Sequence, residues 1–372
     1  MISELIIEKY RGINNLKLEN LGKVNIIAGE NNTGKTSILE VIQSLKGPNS
    51  LREWRLVGRR EGNGFRPSTT IYDTMKSLFP INNEDNKTNI IYSGKVNGKS
   101  FSVELDVKFS EVILTNEQLD IVSGYSRTQL NRDEYEYHEY DTSVLDISYN
   151  INGENCGEDK VYSIQRAFTS SGHVPVNIIN NVVYVSPTQH ANNTLYLDSL
   201  LTDSDMYEQF VDIMKEFDSD FVSINSVKEE QTFSNKYVVL SKKFKEGLLL
   251  NAYGDGMKKA MLLLSAVLRA KDGILLLDEF ETAIHVSVMG KVFKWIIENA
   301  SKLNVQIFMT SHSIEAIESV LNPTAAPKCS SPKWEERLSL QASPPSALLT
   351  DKKSSTFVHA PKFSTFLAIS PI

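Results

Sequence analysis

The run Gly29-Glu30-Asn31-Asn32-Thr33-Gly34-Lys35-Thr36 places four residues between two glycines and follows the second glycine with a lysine and a hydroxyl residue. This is the P-loop pattern. Glycines let backbone amides turn toward phosphate oxygens with no Cβ in the way, and a helix starting near Thr36 adds its partial positive N-terminus. Lys35 is placed to bridge β- and γ-phosphates, and the Thr36 hydroxyl to sit on Mg²⁺. Ser37 completes the phosphate-binding set. The expected ligands are ATP and Mg²⁺.

Three further runs could complete a phosphoryl-transfer site. Ile274-Leu275-Leu276-Leu277-Asp278-Glu279 is an aliphatic strand delivering two carboxylates at its C-terminal end, where ligands sit in parallel sheets. Asp278 is placed to hold Mg²⁺ and Glu279 to polarise an attacking water. Val305-Gln306-Ile307-Phe308-Met309-Thr310-Ser311-His312-Ser313 is another apolar strand with a polar end. There His312 could contact the γ-phosphate or the water. Gly254-Asp255-Gly256-Met257-Lys258-Lys259 leads a helix and offers a second anion site at its N-terminus.

These residues must be held by strands and helices, and the spacing supplies both. Val24 to Ala28 is a short apolar strand before the glycine-rich turn, and Thr36 to Leu45 has helical spacing through Ile38, Leu39, Ile42 and Leu45. Ser3 to Ile7 and Leu16 to Leu18 read as strands. Val182 to Val185 is another short strand, Met206 to Phe217 and Met257 to Arg269 are helical, and so are Val286 to Leu303 and Ser313 to Leu321. Between them, residues 46–180 are polar and β-rich. Asn97-Gly98 and Asn152-Gly153 mark two tight hairpin turns there. Arg132 to Asp141 is a tyrosine-interleaved charge run that reads as a solvated face or loop. Strand–helix alternation at both ends predicts an α/β fold with a mixed, mostly parallel sheet and a β-rich insertion.

Composition bounds the rest. The chain has 372 residues, of which 41% are hydrophobic and 23% charged, as in ordinary globular proteins. No window is apolar enough for a membrane helix, and the N-terminus does not read as a secretory signal. Two cysteines are too few for a disulfide framework, so a cytoplasmic setting and no membrane partner are expected. The net charge of −7 argues against coating nucleic acid by bulk positive charge. Seven of the 12 prolines and nine serines fall within residues 322–372, which have no glycine. That tail has six basic and three acidic residues, a balance of +3, while residues 1–321 have 33 against 43, a balance of −10. Residues 1–321 are therefore expected to form the working domain. Residues 322–372 are expected to be an irregular tail, from disorder or from an altered or truncated reading frame.

Taken in order, the motifs resemble ABC-type ATPases of the RecF and SMC class, and within it the Overcoming Lysogenization Defect (OLD) family and related AAA ATPases. The resemblance rests on Ile6 to Ile13, Asn25 to Ile38, Tyr253 to Leu262, Gly273 to His285 and Val305 to Ser313. It implies a Mg²⁺-dependent ATPase that sandwiches nucleotide in a homodimer or higher oligomer. Lys35, Thr36, Asp278, Glu279 and His312 would take the roles given above. Gly254, Asp255 and Gly256 look like the signature that reaches the γ-phosphate held by a second subunit. ABC signatures usually offer a serine hydroxyl where this chain has Gly254. Ala283 to His285 falls at the D-loop near the dimer seam. Arg11 matches an arginine near nucleotide, and Gln189 is the candidate Q-loop residue on the metal.

The same resemblance implies coupling to DNA and a nuclease effector, in repair or in defence against phage. Full-length OLD nucleases carry a Toprim domain with clustered acids, whereas residues 322–372 contain only Glu335, Glu336 and Asp351. DNA cleavage by this chain alone is therefore not expected. Asp203-Ser204-Asp205 and Asp218-Ser219-Asp220 flank a predicted helix rather than end a buried strand, so they do not read as a metal pair. Two alternatives stand beside the ATPase: a nucleotide-gated assembly module with little turnover, and, less favoured by the N-terminal context, a transporter-type ATPase.

Overall fold

The structure is a computed structural model. It describes residues 1–59, 70–80, 86–115, 118–119, 122, 139–165, 172–192, 195–228, 235–321 and 365–369. The tyrosine-interleaved run lies outside the described residues up to position 138. The chain divides into two compact units, one from described residues of 1–21, 36–60 and 65–180, the other from those of 22–35 and 181–372.

The first unit is built on a six-stranded antiparallel sheet. Its strands are β1 (Ile2–Tyr10), β2 (Ile13–Leu18), β4 (Lys87–Val96), β5 (Lys99–Leu114), β6 (Tyr140–Ile151) and β7 (Glu154–Tyr162), in the order β2-β1-β4-β5-β6-β7. Both expected hairpin turns are present. Asn97 and Gly98 join β4 to β5 at φ 49° and 77°, and Asn152 and Gly153 join β6 to β7 at 53° and 81°. Positive φ at both turn residues matches the twist of the flanking strands. The β-rich insertion continues the N-terminal hairpin: β4 pairs with β1, with Ile7 opposite Tyr92. Helix α1 (Lys35–Ser44) lies on this sheet, where Ser44 Oγ is 2.7 Å from Tyr92 Oη and Ile38, Leu39 and Ile42 are buried. Two helices of the insertion, α2 (Leu51–Arg59) and α3 (Ile71–Lys76), are additions to the sequence reading. Trp54 anchors α2; it is fully buried and donates from Nε1 to Pro48 O at 2.8 Å.

The second unit holds a five-stranded sheet in the order β14-β3-β13-β12-β8. Its strands are β3 (Val24–Ala28), β8 (Val182–Val185), β12 (Ile274–Leu277), β13 (Gln306–Ser311) and β14 (Thr365–Ile369). The first four run parallel, and β14 pairs antiparallel to β3, Thr365 opposite Ala28. The remainder of the tail, residues 322–364 and 370–372, lies outside the described residues. β12 and β13 are buried along their whole length, as strands covered on both faces must be.

The helices of this unit are α4 (Leu197–Leu201), α5 (Ser204–Met214), α6 (Asp255–Arg269), α7 (Val286–Lys302) and α8 (Ile314–Leu321). A small antiparallel sheet of β9 (Phe221–Lys228), β10 (Asn235–Ser241) and β11 (Leu248–Leu249) adjoins them. Twelve consecutive residues of α6, Met257 to Leu268, are buried, which makes it the central helix of the core. Phe280, just after β12, meets Phe293 of α7 edge-on at 4.8 Å between ring centres. Each such fully buried aromatic contributes on the order of 1.5–3 kcal/mol. The α/β P-loop architecture with a mixed, mostly parallel sheet is thus present.

Candidate active site

Three parallel strands of the second unit end at the site, and each delivers one motif. β3 runs into the glycine-rich loop, where Gly29 N donates to Ser311 O of β13 at 3.3 Å. Asn32 and Gly34 turn the loop at φ 63° and 91°. The Gly34 value lies in a region that only glycine adopts without strain. Thr33 Oγ1 closes the loop onto Glu30 O at 2.9 Å. Lys35, 6% exposed, folds back so that Nζ donates to Gly29 O at 2.8 Å and Glu30 O at 2.6 Å. Burial pushes its pKa down, while the carboxylates of Glu279, Asp278 and Glu281 pull the other way. Thr36 and Ser37 follow on α1, which belongs from Thr36 onward to the first unit.

At the end of β12, Asp278 is 4% exposed and gripped from both neighbouring strands. Thr310 Oγ1 of β13 donates to Oδ1 at 2.6 Å, and Tyr184 Oη of β8 donates to Oδ2 at 3.0 Å. The parallel register that sets Leu277 opposite Met309 brings Thr310 beside Asp278. Thr310 Oγ1 also accepts from Glu279 N at 2.8 Å. Glu279 has φ 43°, the left-handed region, which costs a side chain roughly 1–2 kcal/mol. Its partly exposed carboxylate has no hydrogen-bond or ion-pair partner among the described residues. Strain at a residue held this way belongs to sites where position matters more than stability.

The third strand delivers His312. Its backbone N–H donates to Glu281 Oε1 at 3.0 Å, and its Nδ1 lies 3.2 Å from the same oxygen. Ser311 Oγ also donates to that oxygen, at 2.9 Å. The ring is half exposed, whereas the Glu281 side chain is almost wholly buried.

The glycine-aspartate-glycine turn begins α6. Gly254 is its N-cap residue, without a side-chain cap, and has open space around the position a Cβ would take. Gly256 has less room: a Cβ there would lie 3.0 Å from the carbonyl oxygen of Ala283, so its glycine is explained by this backbone approach. Asp255 pairs with Lys258 at 2.6 Å. Lys259 is fully buried and donates to Pro187 O at 3.2 Å. Burial lowers its pKa to about 8, against the opposing pull of Asp278, Glu281 and Glu279. His285 caps α7, its Nδ1 accepting from Ser287 N at 3.3 Å.

Two expected site residues are engaged elsewhere. Gln189 Oε1 accepts from Ser186 N at 3.3 Å and Nε2 donates to Tyr196 Oη at 3.0 Å, so a metal-ligand role requires the carboxamide to turn out of this turn. Arg11, at φ 49° in the β1–β2 turn, forms an ion pair with the buried Glu40 of α1 at 2.9 Å, and Tyr10 Oη donates to the same carboxylate at 3.0 Å. The acidic pairs around α5 have local partners. Asp203 caps α5 by accepting from Met206 N, and Asp218 binds Lys243 at 2.7 Å and Ser241.

The donor set fits a nucleoside triphosphate with Mg²⁺. Lys35, with loop carbonyls as its hydrogen-bond partners, is a buried cation suited to phosphate oxygens. Among the described residues no group of three or more His, Cys, Asp or Glu side chains forms a metal cage. One or two carboxylates completed by phosphate and water is the usual Mg²⁺ arrangement, and Asp278 supplies such a carboxylate. The motif chemistry assigns no role to Tyr184, Thr310, Glu281 or Lys259. The visible signals were a tyrosine in the aliphatic run Val182–Val185, and a third acid following Asp278-Glu279 after Phe280.

Among curated proteins, the chain is 24% identical over 349 residues to a protein of Helicobacter pylori named "ATP/GTP phosphatase", covering 86% of this chain and 87% of that one. Solved structures with a similar course include the SMC head bound to the C-winged helix domain of ScpA. It shares 15% identity at TM-score 0.42 over 86% of this chain and 91% of that one. The recombination mediator protein RecF-ATP shares 13% identity at TM-score 0.39 over 84% and 92%. Residues 24–318, about four fifths of the chain, match the sequence model of the family described as "AAA domain, putative AbiEii toxin, Type IV TA system". The chain belongs to this family of AAA ATPase domains.

Proposed function

We propose that this protein is a Mg²⁺-dependent ATPase of OLD-like type. In this reading it closes as a dimer around nucleotide and couples that closure to DNA processing with a nuclease effector, in repair or antiphage defence. The observation that carries the hydrolytic part is the arrival of Lys35, Asp278, Glu279 and His312 at the same ends of three neighbouring parallel strands in one unit. Phosphoryl transfer needs positioning and charge stabilisation more than covalent chemistry, and these side chains offer both. The name of the Helicobacter pylori relative supports triphosphate hydrolysis.

In this mechanism Lys35 leaves the carbonyls of Gly29 and Glu30 for the β- and γ-phosphates, and loop amides surround the phosphate oxygens. Asp278 would hold Mg²⁺, which when bound would neutralise charge developing on the phosphates. Glu279 takes a proton from the attacking water, and its strained backbone, pinned by Thr310, fixes the carboxylate against the strand end. Asp255 and Gly256 present the start of α6 to nucleotide held by a second copy.

Lys35→Ala tests the site reading: it should abolish ATP binding, measured by calorimetry, and unchanged affinity would refute it. Gly254 favours one alternative, a nucleotide-gated assembly module, because it offers no hydroxyl to the γ-phosphate. Steady-state turnover with and without duplex DNA separates the two.

A further inference from the structure

We propose that the first unit carries a binding site for a free aromatic amino acid, tyrosine or tryptophan. The site is a cavity of about 510 Å³ between α3, with the turn that follows it, and the strands β4, β5 and β6. All of the residues that form it belong to the first unit. The ATPase reading makes no use of it, and the two stand or fall separately.

The walls are aromatic and come from both sides. Tyr72 of α3 and Phe79 just beyond it are 8% and 3% exposed. The half-buried Phe109 faces them from β5. A cavity of this volume suits a small organic molecule, and flat aromatic walls suit a flat apolar group.

Thr88 of β4 adds a polar point to this lining. It is 8% exposed, yet its Oγ1 has no hydrogen-bond partner among the described residues. Alternation along β4 puts its side chain on the buried face with Ile90 and Tyr92. Buried polar groups in folded proteins nearly always have a partner. A lone hydroxyl in a cavity wall is therefore a place for a ligand's polar atom.

Two exposed charges of opposite sign complete the lining, Lys76 of α3 and Glu111 of β5. Neither belongs to an ion pair among the described residues; Lys76 Nζ lies instead 5.8 Å from the centre of the Tyr72 ring. A phosphate would pair with Lys76 and leave Glu111 as a like charge. A zwitterion satisfies both, its carboxylate on Lys76 and its ammonium on Glu111. The strand sets the order of these contacts. Thr88 lies opposite Val107, and Val107, Phe109 and Glu111 follow one another on one face of β5. Val107 and Glu111 are then about 13 Å apart, at the usual rise per strand residue. Hydroxyl, ring and carboxylate thus succeed one another as do the ring substituent, ring and α-ammonium of tyrosine or tryptophan. The phenol or the indole N–H meets Thr88.

Calorimetry on the full chain tests the site, with L-tryptophan, L-tyrosine and L-phenylalanine as probes. Tryptophan and tyrosine should bind one per chain, and phenylalanine at least fivefold more weakly. Thr88→Val, which keeps the shape, should remove that difference. Tryptophanamide lacks the carboxylate and N-acetyltryptophan the ammonium; each should bind native protein at least tenfold more weakly than tryptophan. Lys76→Ala should weaken tryptophan tenfold and leave tryptophanamide nearly unchanged. Glu111→Gln should do the same for tryptophan and N-acetyltryptophan. No saturable binding of tryptophan or tyrosine to native protein overturns the proposal. Derivatives that bind as tightly as tryptophan overturn the zwitterion and give the cavity to a peptide side chain. AMP binding that is lost in Lys76→Ala and kept in Glu111→Gln overturns the amino acid in favour of a nucleotide. Equal affinity of native protein for phenylalanine and tyrosine overturns the part given to Thr88.

Discussion

Thr310 and Asp278 share a hydrogen bond of 2.6 Å, and the same Thr310 hydroxyl accepts from the backbone of Glu279 at 2.8 Å. One buried side chain therefore holds the carboxylate proposed for the metal and the backbone of the residue proposed as base. Thr310→Val keeps the shape and removes the hydroxyl. It should destabilise the protein by about 1–3 kcal/mol, because a buried acceptor and a buried N–H lose their partner. It should also lower kcat, whereas Thr310→Ser should keep both properties near native. Urea melts and turnover assays check this; equal stability of the valine and serine variants would remove Thr310 from the account.

Glu279 offers a test of stored strain. Its φ of 43° is easy for glycine and costly for other residues. Glu279→Gly should lose hydrolysis yet be as stable as native or more so by up to ~1 kcal/mol, the relief being partly offset by the freer unfolded chain. Glu279→Gln keeps the Cβ and should melt as the native protein does. Thermal melts of the pair check the prediction, and a clear loss of stability in the glycine variant would show that the backbone there is relaxed.

The buried Lys259 predicts a pH dependence of stability. Its pKa is about 8 in the folded chain, against an ordinary 10.5 when unfolded. Between those values the unfolded state binds more protons, so stability rises with pH through that window. Below pH 8 the full cost of the buried charge remains, on the order of 3 kcal/mol. Lys259→Met should flatten the rise between about pH 8 and 10.5, measured by urea melts across that range. An unchanged rise would mean that another group carries it.

The two glycines that begin α6 should behave oppositely. Gly254→Ser enters open space and adds a capping hydroxyl, so it should be neutral or gain a few tenths of a kcal/mol. Gly256→Ala meets the Ala283 carbonyl at 3.0 Å and should cost about 1 kcal/mol or more. Thermal melts separate the two. Equal effects would mean that the Ala283 turn yields freely.

Local signals made much of this architecture legible. The aliphatic run Ile274–Leu277 is β12 to the residue, because a strand buried on both faces has no need to alternate. Asn97-Gly98 announced its hairpin because few dipeptides accept two positive φ values. Pairings distant in sequence stayed hidden. Nothing near Ile7 indicates that Tyr92 will lie opposite it, so the joining of the insertion to the N-terminal hairpin could not be read. Helix α2 escaped because its apolar residues, Leu51, Trp54 and Val57, are set among arginines over nine residues.

The site divides in the same way. Lys35, Asp278, Glu279 and His312 were legible because chemistry demands those types at those spacings. Tyr184, Thr310, Glu281 and Lys259 act on other residues across strand registers and a helix–turn contact, which spacing along the chain does not reveal. Gln189 and Arg11 came from resemblance alone, and the partners found for them, Ser186 and Tyr196 in one case and Glu40 in the other, lie within their own units.

The most direct measurement of the central claim is ATP turnover and ATP affinity in native protein and Glu279→Gln, both at saturating Mg²⁺. The native chain should hydrolyse ATP measurably. In the variant, affinity should stay within a fewfold of native and turnover should fall at least a hundredfold, consistent with loss of a general base. Equal turnover in the two proteins would contradict it.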